Sequence, residues 1–158
     1  MVSKYRPVIH PLRDLLPDGT EIRRVPDMTR TGNRPLYTTS EGVPFSHVFI
    51  KDKESGLWHW VYREQVPAPL SPSSTSVNAN RKQTYYVMPH HGAIYLHIAV
   101  CLAWCGPQPI DPKLGKGYEC HHLNGITSDN RASNLIWLSH EEHLRYDAAL
   151  RKGLVLEP

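Results

Sequence analysis

The stretch from Glu119 to Tyr146 concentrates side chains that bind metal ions and move protons. Four of the chain's ten histidines, His121, His122, His140 and His143, fall between positions 121 and 143. Imidazole is the commonest neutral metal ligand, and its ordinary pKa lies nearest neutrality, so a local cluster suits a metal centre, a general base, or both. His121 and His122 are adjacent, and on a strand they point to opposite faces. They cannot both ligate one ion by simple extension. One can hold a metal while its neighbour, turned by the strand end, handles a water. His143 falls in the first turn of a predicted helix that packs over the preceding hairpin and meets the strand end from above. His140, three residues earlier on that helix, competes as a ligand. Asn134 opens the next strand, where its amide can accept a hydrogen bond from one imidazole nitrogen and fix the other as a base.

These side chains need a strand, a long turn, a second strand and a helix to bring them together. Residues 117–122 read as a strand end, and Asn124-Gly125 is a tight-turn dipeptide. Residues 134–138 are a short apolar run suited to the second strand. Ser139 followed by Glu142 is a capping box, which starts a helix expected over 140–152, with Lys152 and Gly153 at its end. Upstream, residues 84–88 and 94–97 are β-prone runs joined by a turn at 89–92. Ile98, Cys101, Leu102 and Cys105 then share one helical face, and Gly106-Pro107 stops the helix.

Residues 67–80, rich in proline and serine, have little to bury and read as a linker or exposed loop. They divide the chain into a β-rich region at 1–66 and a second domain at 81–158. The β-prone runs 35–46, 47–51 and 57–62 suggest a small, irregular antiparallel sheet in the first part. The expected class is therefore α+β: a mostly-β N-terminal region, then a hairpin and helix, then strand–turn–strand–helix.

The run Cys120-His121-His122-Leu123-Asn124-Gly125, then Asp129-Asn130, then Asn134-Leu135-Ile136-Trp137, then His140-Glu141-Glu142-His143 resembles the HNH endonucleases, in particular their small phage and homing-type members. The likeness covers about residues 83–150, including the apolar helix ahead of the motif. It implies the ββα-metal (His-Me finger) fold and metal-dependent hydrolysis of DNA phosphodiester bonds. It implies that His121 and His143 are metal ligands, that His122 is the general base, and that Asn134 orients His122. Position 124 is Asn where many relatives have Asp, and His143 stands where close relatives often have Asn. Two protein ligands leave an open site for a divalent ion, Mg²⁺ or Mn²⁺ first, with Zn²⁺ or Ni²⁺ also suited to imidazole. The implied products carry a 5′-phosphate and a 3′-hydroxyl. Residues 37–43 also resemble a short module found ahead of such domains.

Three alternatives compete. The same residues suit the surface and caps of an ordinary hairpin and helix. A zinc finger would need two cysteines and about three to five residues between its histidines, but Cys120 stands alone and two residues separate His140 from His143. A non-catalytic DNA-binding module could keep the same fold, although it has no need of a base at His122.

The rest of the chain bounds these readings. Apolar residues make up 40% and charged residues 21%, as in soluble globular proteins. No apolar run approaches the roughly 20 residues that span a bilayer, and the first residues lack the apolar core of a signal peptide. A cytoplasmic protein with DNA as partner, and no membrane or small-molecule substrate, is expected. Cys101, Cys105 and Cys120 include no CxxC pair, so no disulfide framework or four-cysteine zinc site is expected. The net charge of +3 lies wholly in residues 1–34, which are either a DNA-contacting arm or, through Tyr5, Leu12, Leu15, Leu16, Ile22 and Val25, a structural segment packed on the body. Arg131, Arg145 and Arg151 beside the motif, with Arg81 and Lys82, are candidates for phosphate contacts that position a duplex without reading its sequence.

Overall fold

The computed structural model describes residues 10–26, 35–69, 85–87 and 94–153. Arg81 and Lys82, most of the Pro/Ser-rich stretch and the turn expected at 89–92 lie outside them. Strands β1 (Arg13–Leu15), β2 (Glu21–Arg24), β3 (Leu36–Thr39), β4 (Pro44–Lys51) and β5 (Trp58–Glu64) form an antiparallel sheet in sequence order. The run expected as one strand at 35–46 is two strands, because the chain reverses at Ser40–Val43. Gly42 there has φ +85°, a conformation that disfavours any residue with a Cβ. The expected strand at 57–62 is observed as β5, and its register pairs Phe49 with Trp60 and His47 with Tyr62. Strands β1 and β2 lie in the segment expected to be a basic arm.

A second, three-stranded sheet joins β6 (Ala68–Pro69), β7 (Tyr85–Val87) and β8 (Ile94–Tyr95), and leads directly into helix α1 (Leu96–Trp104). A two-stranded antiparallel hairpin of β9 (Glu119–His122) and β10 (Leu135–Leu138) follows, with a 3₁₀ turn at Ala132–Asn134 just before β10. Helix α2 (His140–Arg151) closes the described chain. The structure is thus a mixed α/β fold with a curled antiparallel sheet and a helix at its C-terminal end. Among the described residues no helix is long and apolar enough to cross a membrane.

Helix α1 is apolar on most of its circumference, as a helix enclosed by other elements must be. Its Leu96, Ala99, Val100 and Cys101 share one buried core with Val25 and Leu36 of the first sheet and Leu135 of β10. The indole of Trp104 donates to the Thr38 carbonyl at 3.1 Å, and the Arg23 guanidinium lies 4.0 Å from the centre of its ring. The N-terminal sheet and the hairpin therefore pack on one helix. All three cysteines are free; Cys120 donates to the His97 carbonyl at 3.4 Å, and Cys105 to that of Leu135 at 3.6 Å. They act as small packing residues, Cys101 in the buried core and the other two with their thiols turned to backbone acceptors.

Candidate metal centre and catalytic histidine

The alternation of β9 separates two chemistries. Glu119 and His121 face α2, whereas Cys120 and His122 face α1. Pairing with β10 fixes this register, with His121 opposite Ile136 and His122 opposite Leu135. A one-residue slip would exchange the two histidines between faces.

Helix α2 is started as its sequence requires. The Glu142 amide donates to the Ser139 hydroxyl at 3.2 Å, and the Ser139 amide donates back to the Glu142 carboxylate at 2.9 Å. This cap sets the helix phase, which turns His143 and Asp147, one turn apart, toward β9. The His121 and His143 rings are 4.8 Å apart, and one ligand atom from each of His121, His143 and Asp147 lies within 4.8 Å of the other two. His121 is buried, and its Nε2 has no hydrogen-bond partner. A buried polar atom without a partner costs stability unless a ligand satisfies it. Burial first, and then the nearby His143, hold the His121 pKa below its ordinary value, which favours the neutral, metal-binding form. Two imidazoles, one carboxylate and an orphaned inward nitrogen fit a divalent cation.

Glu119 supports this cluster from outside. The Nδ1–H of His143 donates to its carboxylate, and His140 Nδ1 lies 3.7 Å from its other oxygen. The hydrogen bond from His143 is the main reason the Glu119 pKa lies below the usual range, so the carboxylate stays charged. A ligating histidine commonly donates its second nitrogen to a carboxylate, which fixes the ring and raises its basicity. His143 Nε2 is thereby turned toward Asp147, whose carboxylate lies 3.6 Å away. His140, the competing ligand, is directed to Glu119 and is not part of the three-residue cluster.

On the other face, His122 is buried, and its Nε2 lies 2.8 Å from Oδ1 of Asn130. An amide oxygen only accepts, so Nε2 carries the hydrogen, which makes Nδ1 the basic nitrogen of the neutral ring. The His97 ring of α1 stands 5.1 Å from that of His122; burial, then His122, push the His97 pKa down to about 4. Asn134 does not meet His122, contrary to the expectation. Its amide oxygen accepts from the Asn124 backbone at 3.1 Å, and its amide nitrogen donates to the Asn124 side chain and the Asp129 carbonyl, both at 2.9 Å. The physical reason is that the long turn between β9 and β10 must be closed, and Asn134 spends its amide on that closure. Asn130, seven places after Leu123 in the same turn, faces the imidazole instead.

Arg131 is exposed and forms a two-pronged pair with Asp129, both bonds being 2.8 Å. This guanidinium holds the Asp129 carboxyl far below the usual carboxylate range. Arg145 pairs with Glu141 one turn away at 3.1 Å, and Arg151 donates to the Asp147 carbonyl at 3.3 Å; both side chains remain at the surface. A cleft of about 240 Å³ opens beside Asn130, lined by Glu41, Gly42, Pro67, Leu96 and Ser128.

Sequence reasoning gave no role to Asp147, Glu119, Asn130 or His97. Asp147 was readable in principle, since its four-residue spacing from His143 puts both on one helical face. Glu119 was readable too, two residues before His121 on the same strand face. The choice of Asn130 over Asn134 depends on the path of a loop, which spacing does not fix.

Residues 95–145, about a third of the chain, match the family model of the HNH endonucleases. No curated protein and no solved structure shows significant similarity to the chain.

Proposed function

We propose that this protein, whose residues 95–145 match the HNH endonuclease family model, is a divalent-metal-dependent endonuclease that hydrolyses DNA phosphodiester bonds, through the ββα unit formed by β9, β10 and α2. The observation that carries the reading is the buried, unpartnered Nε2 of His121 beside His143 and Asp147, with the next residue turned away and bonded through its own Nε2 to Asn130. One acidic or basic group alone would be an ordinary surface feature.

In this reading His121, His143 and Asp147 would hold a divalent ion, Mg²⁺ or Mn²⁺ in the first instance, and Glu119 keeps the His143 ring in place. Such an ion would supply positive charge against the negative charge that grows on the phosphate and the leaving oxygen. His122 accepts a proton at Nδ1 from the attacking water. Its Nε2–H donates to Asn130, which stabilises the ring as it becomes positive and keeps the base nitrogen aimed one way. Asn134 serves by holding the turn that carries Asn130. Arg131, Arg145 and Arg151, with Arg81 and Lys82, contact phosphates and so position the duplex without reading its bases. Asp129 holds the Arg131 guanidinium on the turn by a two-pronged ion pair.

Incubation of supercoiled plasmid with the full chain, in Mg²⁺ or Mn²⁺ and with or without EDTA, tests the proposal. Nicked or linear product that disappears with EDTA is expected. Intact plasmid in every metal, with DNA still bound in a gel-shift, would replace the nuclease by a non-catalytic DNA-binding module.

A further inference from the structure

We infer that the Ser40–Gly42 turn of the N-terminal sheet is a positioning element for His122, acting through Asn130; this rests on the reading of His122 as the base. The turn belongs to a different part of the chain from the HNH segment, yet it touches the backbone that carries Asn130. A Cβ added to Gly42 would lie 2.6 Å from the Asn130 carbonyl oxygen and 2.9 Å from its carbon, far inside van der Waals contact. Two residues on, the Ala132 amide donates to the Ser40 carbonyl at 2.7 Å. The loop from Asn130 to Ala132 is thus pinned on one side by a backbone hydrogen bond and on the other by a glycine that leaves room for nothing larger.

The turn can bear this role because it is itself held. The Thr39 amide donates to the Val43 carbonyl at 2.9 Å, the Gly42 amide to the Thr39 carbonyl at 3.1 Å, and the Val43 amide to the Thr39 hydroxyl at 3.1 Å. All four residues of β3 behind it are buried, and Thr38 receives the Trp104 indole of α1. A line of contacts therefore runs from the core of the N-terminal sheet through Ser40 and Gly42 to Asn130, and from Asn130 Oδ1 to His122 Nε2 at 2.8 Å. Asn130 is 7% exposed, so its amide has little freedom to re-aim if its backbone shifts. The same contact makes Glu41 and Gly42 one wall of the cleft beside Asn130. The N-terminal sheet, in this account, fixes the hydrogen-bond partner that selects the imidazole tautomer.

Gly42→Ala in the full chain tests this against Gly19→Ala as its control. Gly19 sits in the β1–β2 turn of the same sheet with φ +87°, close to the +85° of Gly42, but an added Cβ there meets nothing within 4 Å. Both variants place a Cβ at nearly the same positive φ, and of the two only Gly42→Ala pushes on Asn130. The readout is the imidazole ¹⁵N spectrum of His122 at fixed pH, which reports which ring nitrogen holds the hydrogen and needs no catalysis. Wild type and Gly19→Ala should show the Nε2–H form. Gly42→Ala should show a mixture of tautomers and at least a tenfold lower cleavage rate at saturating DNA. A Gly42→Ala spectrum matching that of Gly19→Ala would overturn the inference, even if the wild type cuts DNA. An altered spectrum in a chain that never cuts DNA would leave the brace standing and remove the nuclease reading. Should Gly42→Ala fail to fold, hydrogen exchange of the wild type decides: the Ala132 amide should exchange as slowly as the amides of β3, and exchange at the rate of an open loop would overturn the brace.

Discussion

Acidification should destabilise this protein through His97, and the size of the effect follows from its surroundings. His97 is the second residue of α1, beside His122, and its pKa is pushed down to about 4, by burial first and by His122 second. In the unfolded chain the ring titrates at about 6.5. Above that pH neither state carries the proton, and the ring leaves stability unchanged. Between about 6.5 and 4 the unfolded chain is protonated and the folded one is not, so stability falls as the pH falls. The slope approaches 1.36 kcal/mol per pH unit for one proton. Over this window the loss is about 3 kcal/mol, a large fraction of the roughly 5–15 kcal/mol that holds a domain together. Other groups titrate in the same range, so the test is a difference: urea unfolding of wild type and His97→Gln at pH 7, 6, 5 and 4.5. Gln is polar and uncharged throughout, and the variant should lose about 2–3 kcal/mol less than wild type on acidification. Parallel curves for the two proteins would refute the assignment of a buried, neutral His97.

Three further outcomes follow from the same structure. Asp147→Asn removes the charged ligand of the proposed centre and should weaken Mn²⁺ binding by at least tenfold in calorimetry, with helix content unchanged; equal affinity would exclude Asp147 as a ligand. EDTA should leave the far-ultraviolet circular dichroism of the pure protein nearly unchanged, because the capping box at Ser139 and the core around α1 hold the fold without an ion, and a large loss of helix on chelation would revive a structural-zinc reading. Removing residues 1–34 should unfold the chain, since Ile22 and Val25 are 0% and 1% exposed and each contributes about 1.5–3 kcal/mol by burial; a cooperatively folded truncation would restore the view of this segment as a detachable arm.

How far the sequence reaches is instructive. The capping box named Ser139 and Glu142 correctly because it depends on neighbours three residues apart, and helix α2 begins where it says. The opposite facing of His121 and His122 was legible for the same kind of reason, since strand alternation is local. The pairing of β1 with β2 was not, because Arg13–Leu15 and Glu21–Arg24 are short and mostly polar; their charges suggested an exposed arm while Ile22 and Val25 equally suggested packing on the body. In the structure Arg23 stacks on Trp104, and the Arg24 guanidinium donates to the His10 carbonyl at 2.9 Å, so both are used within the fold. The run at 35–46 looked continuous because a glycine in a strand has several meanings, and only the left-handed φ of Gly42 makes it a reversal. The assignment of Asn134 to His122 failed where two asparagines compete in one loop. Which amide reaches the ring depends on how the turn is closed, and the partner that presses Asn130 into place comes from a part of the chain some ninety positions earlier.

In the proposed division of roles, His122 moves the proton while its neighbours on the other face hold the ion. The measurement that tests it most directly is the rate of plasmid nicking by His122→Ala at an Mn²⁺ concentration shown by calorimetry to saturate both the variant and the wild type. Normal metal affinity is expected, with cleavage reduced by at least a hundredfold, consistent with the roughly 10²–10⁴ that a general base contributes. Wild-type cleavage by the metal-loaded variant, or loss of its metal binding, would contradict the division of roles between His122 and His121.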